Sequence, residues 1–526
     1  MAKELKYLVV LDVPGIKNYV FGTDKLVEIR GASALLDNLN RDVIPERVIQ
    51  IFGTSRSTCV FAGGGAAQFI IEDVAENITD GFKTIQGEVY RQSGGALQIV
   101  IGMAQLTDNY EAALKQAFHE LEKNKYQKPG LPGPSLHTGF VRECESCSGM
   151  ASAMTEFHRD TRFLCAVCTR KEKMGREKGL WNEFCAYVNR YGVAPEQSWN
   201  WRPDDFEIIG DRCQARRGYT AMIYGDGNSM GRIVKQIDSA DRFERFSQAV
   251  DCSVREACHE ALYRHCQPVN GKMPADILLL GGDDLMVYLS ADRAMAFAID
   301  VARLFEEKTR SKLTDDLSDP FFKNILGEHG LTLSIGIAYG RSHTPIAIMS
   351  DQAEELLKSA KQKGSFLAGQ QSYTPSCIDF HLTSQFNQVG VATSRKHHLM
   401  HRTHRDEQIR LYQGPYTLAE AESLIQEAHS LKESGIPRTR LHRLGEAPFM
   451  GKINGAVETL TIYGRCRNSK QKQAIMKALN RFGCLSMMPW RQDPDEISTV
   501  LVDLVRISEF THLKQEVARH APSNPT

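Results

Sequence analysis

One order of elements is written twice along this chain, and that repetition constrains the fold more than any other feature. In the first copy a β-rich run, Lys6–Asp12, precedes helical apolar spacing over Asp24–Gly53, carried by Leu26, Ile29, Leu35, Leu36 and Leu39. Two short strands then flank Gly63, Gly64 and Gly65 across Ser57–Ile71. Glu72–Gln92 reads as a helix, Leu97–Gln105 as a strand and Asn109–Lys123 as a helix. In the second copy Tyr219–Tyr224 is a strand, Ala240–His265 a helix, Asp276–Leu289 a hairpin and Ala291–Lys308 a helix. Leu331–Tyr339 and Pro345–Lys363 complete it as strand and helix. The copies lie about 210 residues apart, so Asp12 corresponds to Asp226 and Gly63–Gly65 to Gly281–Asp283. A strand–helix–hairpin–helix–strand–helix order predicts an α+β protein with two ferredoxin-like domains.

The second hairpin carries the chemistry. Apolar strands flank Gly281-Gly282-Asp283-Asp284, a turn whose glycines permit a tight reversal and close ligand approach, with both aspartates expected at an exposed tip. Phosphoryl transfer with a divalent metal needs carboxylates on rigid elements, and one hairpin does not suffice. Tyr219-Thr-Ala-Met-Ile-Tyr-Gly-Asp-Gly supplies the third, Asp226, at the end of the neighbouring strand. Asp226, Asp283 and Asp284 together form the acidic site of a polymerase or nucleotide-cyclase palm, holding Mg²⁺ or Mn²⁺. Gly227, Asn228 and Ser229, with Gly281 and Gly282, are the candidate nucleotide contacts. The bland alternative is a polar hairpin turn, and the pairing with Asp226 in order and spacing weighs against it.

The first copy has lost these acids. Its hairpin reads Ala62-Gly-Gly-Gly-Ala, leaving Asp12 as a lone carboxylate or an ordinary strand-end residue. The expectation is a non-catalytic palm packed against the active one, with Gly63 and Gly64 lining a second nucleotide site. Between the copies, Cys144-Glu-Ser-Cys147 and Cys165-Ala-Val-Cys168 are two matched knuckles, the spacing of a closed, structural Zn²⁺ site. Lys128–Pro134 is a breaker-rich boundary, and Glu172–Tyr191 reads as one helix. The predicted domains are a first palm (1–127), a zinc-finger and helical linker (128–215), a second palm (216–384) and a helical C-terminal domain (385–526). In the last, Thr417 and Glu420 match a capping box. Arg395–Arg405 is basic and histidine-rich, either a solvated loop or a contact for RNA phosphates.

Lys plus Arg equals Asp plus Glu at 64 each, so total charge offers no argument for nucleic-acid binding. The apolar run Leu8–Val13 contains Asp12 and is too short to cross a bilayer or serve as a signal peptide, which implies a cytoplasmic protein without membrane contact. Of the 13 cysteines, the nine outside the knuckles then read as free thiols.

In this order the motifs resemble the large, palm-containing subunit of type III CRISPR effector complexes, the Csm/Cmr large subunit. Val10-Leu-Asp-Val-Pro-Gly-Ile and Glu28-Ile-Arg-Gly-Ala-Ser-Ala-Leu-Leu open the match. The glycine hairpin, the cysteine finger, Gly225-Asp-Gly-Asn-Ser-Met-Gly and the Gly-Gly-Asp-Asp turn follow. Ser334-Ile-Gly-Ile-Ala, Ala353-Glu-Glu-Leu-Leu-Lys-Ser-Ala-Lys and Ser376-Cys-Ile-Asp-Phe-His close it, so that it spans roughly residues 5–385. The second palm is also similar to GGDEF-type diguanylate cyclases. The resemblance implies cyclic oligoadenylate synthesis from ATP, switched on by target RNA in a complex with guide RNA and other effector subunits. It implies that Lys361 approaches a triphosphate; the alternative for Lys361 is a solvated helix face. Three departures stand out. The chain opens directly on the palm with no His-Asp dipeptide, so no HD-nuclease cleavage of DNA is expected. Asn228 stands where many members have a second aspartate, and the chain is short for the family. Two further readings are a non-catalytic nucleotide-binding scaffold of such a complex and a stand-alone nucleotide-signalling cyclase.

Overall fold

The structure is a computed structural model. It describes residues 5–126, 142–157, 160–177, 179–315, 319–370, 373–383, 390–402, 407–484, 488–493 and 496–511. The breaker cluster Lys128–Pro134 lies outside the described residues.

The first copy forms strands β1 (Leu5–Asp12), β2 (Ser57–Gly63), β3 (Ala66–Asp73) and β4 (Val100–Gln105), in the sheet order β2-β3-β1-β4. After the finger strands β5 (Ala153–Phe157) and β6 (Asp160–Leu164), the second copy forms β7 (Tyr219–Gly227), β8 (Ala275–Gly281), β9 (Asp284–Ser290) and β10 (Leu333–Arg341). Its core order, β10-β7-β9-β8, is the first sheet's order read from the other edge. Both are ferredoxin-like, with the aspartate-bearing strand in the interior. β11 (Cys377–Leu382) adds parallel to β10, so the second sheet grows beyond the repeat.

The duplication holds to the level of single residues. Gly102 pairs with Val10, and Gly336 with Tyr224, each two residues before the strand aspartate. A Cβ on either glycine would strike the following helix, at Ala117 and Leu121 or at Ala353 and Leu357.

Neighbouring residues of β1 point to opposite faces and both faces are covered. Leu8 and Val10 belong to the core that includes Ala117 and Leu121. Val9 and Leu11 join a cluster reaching Leu26, Ile29, Leu278, Met286, Met349 and Ala353, so the two palms share a core. Polar bonds cross the same junction: Lys17 pairs with Asp351 at 2.8 Å, Arg30 with Asp276, and the Ser33 hydroxyl donates to the Leu278 carbonyl.

Two expectations are corrected, and a third, the mostly helical C-terminal part, gains a small sheet. Glu172–Tyr191 is two helices, Ala166–Arg176 and Trp181–Asn189, because the chain turns at Gly179, with φ of +48°. The C-terminal part is not helical alone. β12 (Met400–Arg402), β13 (Gln408–Arg410), β15 (Arg491–Gln492) and β16 (Glu496–Ser498) form a small sheet, while β14 (Tyr416–Thr417) extends the second palm's sheet. Arg395 is not on a solvated loop. It sits in the helix Val391–His398, 7% exposed, and makes two bonds to the Asp379 carboxylate at 2.7 and 2.8 Å. Residues 403–405 of that basic run lie outside the described residues. The capping box at Thr417 and Glu420 is present. Among the described residues no helix is long and apolar enough to cross a membrane.

Candidate functional site

β7 ends at Asp226 and Gly227, and β9 begins at Asp284, directly across the sheet. The turn between β8 and β9 places Asp283 over β7, where a Cβ on Gly227 would meet the Asp283 side chain at 3.0 Å. Asp226 and Asp283 are close enough to share a hydrogen bond, and Tyr224 donates one to Asp284. The expected exposed tip is half-buried instead. The reason is the first palm: its glycine turn abuts the acidic one, so that a Cβ on Gly64 would lie 3.0 Å from the Gly282 backbone. Gly64 and Gly65 have φ of +59° and +84°, as a two-residue type I′ turn requires. The docking contact is made by Gly64, the counterpart of Gly282, while Gly65, the counterpart of Asp283, lies where a Cβ would strike the Ile16 side chain.

Burial, and then repulsion from Asp226, push the Asp283 carboxyl up to about 7. Asp284 is driven well above the ordinary carboxylate range by burial and by both neighbours. One cation is at hand: Lys361 pairs with Asp226. Three carboxylates against one ammonium leave an excess of negative charge in a partly dry site. An all-oxygen donor set with unrelieved repulsion fits a hard divalent cation such as Mg²⁺ or Mn²⁺.

The other predicted residues divide. Gly281 and Gly282 lie in the turn itself. Gly63 sits beside Phe61 and near Asp251. Asn228 is buried and engaged with protein groups. Its amide donates to Thr332 at 3.0 Å and accepts from the Ser334 hydroxyl at 2.8 Å, so it ties β7 to β10. Ser229, with φ of +62°, lies 3.2 Å from the Thr374 hydroxyl. Lys361 is no solvated lysine; it is one third exposed and engaged with Asp226.

Sequence reasoning missed Lys125. It pairs with Asp12 at 3.1 Å, the counterpart in the first palm of Lys361 with Asp226. The signal was available: Lys125 follows Leu121 by four residues, as Lys361 follows Leu357, and both leucines pack on the register glycine. Tyr224 and Asn40 were missed as well. They line a cavity of about 110 Å³ between the palms, with Lys17, Phe21, Leu36, Met286 and Asp284. Asn40 is 2% exposed and its side-chain oxygen has no hydrogen-bond partner.

The sulfur atoms of Cys144, Cys147, Cys165 and Cys168 lie within 4.8 Å of one another, and the cluster can bind zinc. The aspartate trio is looser than this. A hydrogen bond from the Cys168 thiol leads the effects that hold Cys165 down, at about 4, in the thiolate form a metal takes. The helix Ala166–Arg176 that begins at Cys165 packs on Leu26–Asn38, with the Gly31 backbone against Lys171 and Gly175.

Residues 219–366 match the family model Cas10/Cmr2, second palm domain. The chain is also 22% identical over 449 residues to the single-strand-specific deoxyribonuclease Cas10/Csm1 (subtype III-A) of Thermococcus onnurineus, covering 69% of this chain and 54% of that protein. The chain is thus similar to Cas10 proteins of type III CRISPR systems, and its residues 219–366 match their second palm domain. It spans about half the length of that curated relative. Among solved structures, a Csm1–Csm4 cassette in complex with cA4 superposes on this chain with a TM-score of 0.59 at 15% identity, over 97% of this chain and 70% of that one. Csm1 of T. onnurineus gives 0.55 at 16% identity, over 96% and 69%. These likenesses extend the Cas10 architecture beyond the matched palm to nearly the whole chain.

Proposed function

We propose that this chain joins ATP into 3′–5′ linked oligoadenylates, a 3′-hydroxyl attacking the α-phosphorus and displacing pyrophosphate at each bond, and closes them into rings, as the nucleotidyltransferase of a type III effector complex. The convergence of Asp226, Asp283 and Asp284 beside a cavity between two palms carries the reading. Three mutually repelling carboxylates, two on strand ends and one on the turn between strands, cost stability, and a scaffold has no use for them. A divalent cation held there would neutralise phosphate charge and lower the pKa of the attacking hydroxyl. Asp226 and Asp284, fixed on paired strands, and Asp283, on the turn, set where that cation sits. Lys361 exchanges Asp226 for a phosphate oxygen. The cavity lined by Asn40, Phe21 and Met286 keeps water from part of the bound nucleotide. The first palm, with Gly63 and Gly64 at the junction, supplies the wall for a second nucleotide.

The relatives support the substrate class: Csm1–Csm4 cassettes have been solved with cA4, pppApApA and AMPPNP. Those cassettes pair Csm1 with Csm4, which supports a Csm4-like partner here; guide RNA and an activating target RNA complete the proposed complex.

The test is incubation of purified protein with ATP and Mn²⁺ or Mg²⁺, followed by mass spectrometry, beside Asp283→Ala/Asp284→Ala. A 3′–5′ adenylate product from the unaltered protein alone is expected. Absence of product from the protein, and again from its complex with partners and target RNA, would overturn the reading in favour of a nucleotide-binding scaffold.

A further inference from the structure

The Gly-Gly-Asp-Asp turn is gripped from behind by charged side chains that the proposed chemistry does not use. Asp251 and Arg255 lie one helical turn apart on Ala240–His265, 6% and 7% exposed. An Asp251 oxygen accepts the backbone N–H of Gly282 at 3.0 Å. Arg255 donates to the Leu280 carbonyl at 3.0 Å. Both bonds go to turn backbone, on either side of Gly281, and Gly282 is the residue immediately before Asp283. The same two side chains are held by the first palm. Arg255 reaches Asp37 at 2.7 Å, Arg41 bonds Asp251, and Arg41 also bonds Asp37 at 2.9 Å. Arg255 and Asp251 close the ring at 3.3 Å, and Glu183 of the linker accepts from Arg255 at 2.6 and 2.8 Å.

Resting on the function proposed above, we propose that Asp251 and Arg255 are positioning residues for the metal-holding turn, and that Asp37 and Arg41 tie its placement to the docking of the first palm. A buried ion network is weak evidence for stability, since apolar residues fill such space as well or better. Its directional bonds do what apolar packing cannot: they fix two backbone groups of a glycine turn that would otherwise sample several conformations. Asp37 and Arg41 make the grip conditional. If the first palm shifts, Arg255 and Asp251 lose partners at the moment they must hold the turn. The network therefore gives any event that moves one palm against the other a route to the carboxylates.

The test uses the full chain and two readouts that do not need product. One is Mn²⁺ affinity by electron paramagnetic resonance; the other is amide exchange in the peptide spanning 276–290. Asp251→Ala is expected to weaken Mn²⁺ binding at least about tenfold and to speed exchange in that peptide, whereas Asp251→Asn, which keeps the acceptor oxygen, recovers most of both. Arg41→Ala should move both readouts the same way by less. Arg395→Gln breaks a buried ion pair of the same kind elsewhere, with Asp379, and should leave Mn²⁺ affinity unchanged; this separates positioning from general loss of stability. Where product is measurable, Asp251→Ala should lower kcat with little change in KM for ATP. Unchanged Mn²⁺ affinity and unchanged exchange in Asp251→Ala would overturn the inference. So would a loss in Asp251→Ala that Arg395→Gln reproduces. If the unaltered protein binds Mn²⁺ but makes no product in any setting, the synthetic function fails while these readouts still decide the positioning role. If it binds no Mn²⁺ above the level of Asp283→Ala/Asp284→Ala, the inference falls.

Discussion

Asp283 states the site's problem in one side chain. Its folded-state carboxyl, raised to about 7, binds a proton more tightly than it would in the unfolded chain. Below the ordinary value of 3.8 both states hold that proton. Between there and about 7 the folded state alone does, so stability falls as pH rises through this window and the full penalty stands above it. Asp283→Asn should therefore stabilise the metal-free protein at pH 8, by on the order of 1–2 kcal/mol, with the gain fading toward pH 5 in thermal melts. The same group predicts that Mn²⁺ binding releases protons near neutral pH and tightens as pH rises. Lys361 and Lys125 form a second contrast. Each neutralises a strand-end aspartate, but Lys361 stands beside the acidic turn of Asp283 and Asp284, whereas the further carboxylate at Lys125 is Glu122 of its own helix, 2.8 Å away. Lys361→Met should lower the rate of product formation at least about tenfold, and Lys125→Met should leave it within about twofold, both read by initial rates.

The finger and the repeat show what elements add. The helix that begins at Cys165 lies backbone-to-backbone on the first palm's helix Leu26–Asn38 at Gly31 and Gly175. The cysteine cluster thus anchors a helix with little apolar surface of its own to bury there. One zinc per chain is expected by elemental analysis. Cys144→Ser/Cys168→Ser should lose it and lower the melting temperature by several degrees, as should strong chelation, with the earliest change in the first palm by amide exchange. The same elements explain which parts of the fold were legible. Element order, the glycine hairpins, the cysteine knuckles and the cap at Thr417 are local patterns, and periodicity exposes them. The grip of Asp251 and Arg255 on the turn, the burial of Arg395 against Asp379 and the cover over Asp283 join residues far apart in sequence. Arg395 reads as a solvated basic run because its neighbours are basic, while its partner sits on another element, β11. The small C-terminal sheet escaped because its strands are two or three residues long, too short for any alternation to show. Asn228 looked like a site residue by adjacency to Asp226; it lies just past the end of β7, and its amide is taken up by Thr332 and Ser334 instead.

At the scale of the molecule, two copies of one domain meet at their hairpin tips, and the copy without acids provides the surface on which the acidic turn rests. This makes Gly64 a residue of the acidic palm in all but sequence. An alanine there meets two obstacles. Its φ of +59° strains any side chain, by about 1–2 kcal/mol, and its Cβ would stand 3.0–3.1 Å from the backbone of Gly281 and Gly282. Backbone cannot rotate aside as a side chain can, so the palms must part by a few tenths of an ångström. Gly271 isolates the first obstacle: it lies in another two-residue turn, with φ of +76°, and nothing stands within 4 Å of its Cβ position. Gly271→Ala should cost a comparable amount in stability and leave the rate of product formation within about twofold. Gly64→Ala should lower that rate at least about tenfold, because small displacements of a catalytic group are expensive in rate. Initial rates and melting temperatures of the two variants, measured side by side, decide it. Equal rates would mean that the hairpins merely touch. A rate lost only in Gly64→Ala would show that the duplicated, acid-free palm is kept for its shape, with its glycine turn setting the height of the Asp283 carboxylate over β7.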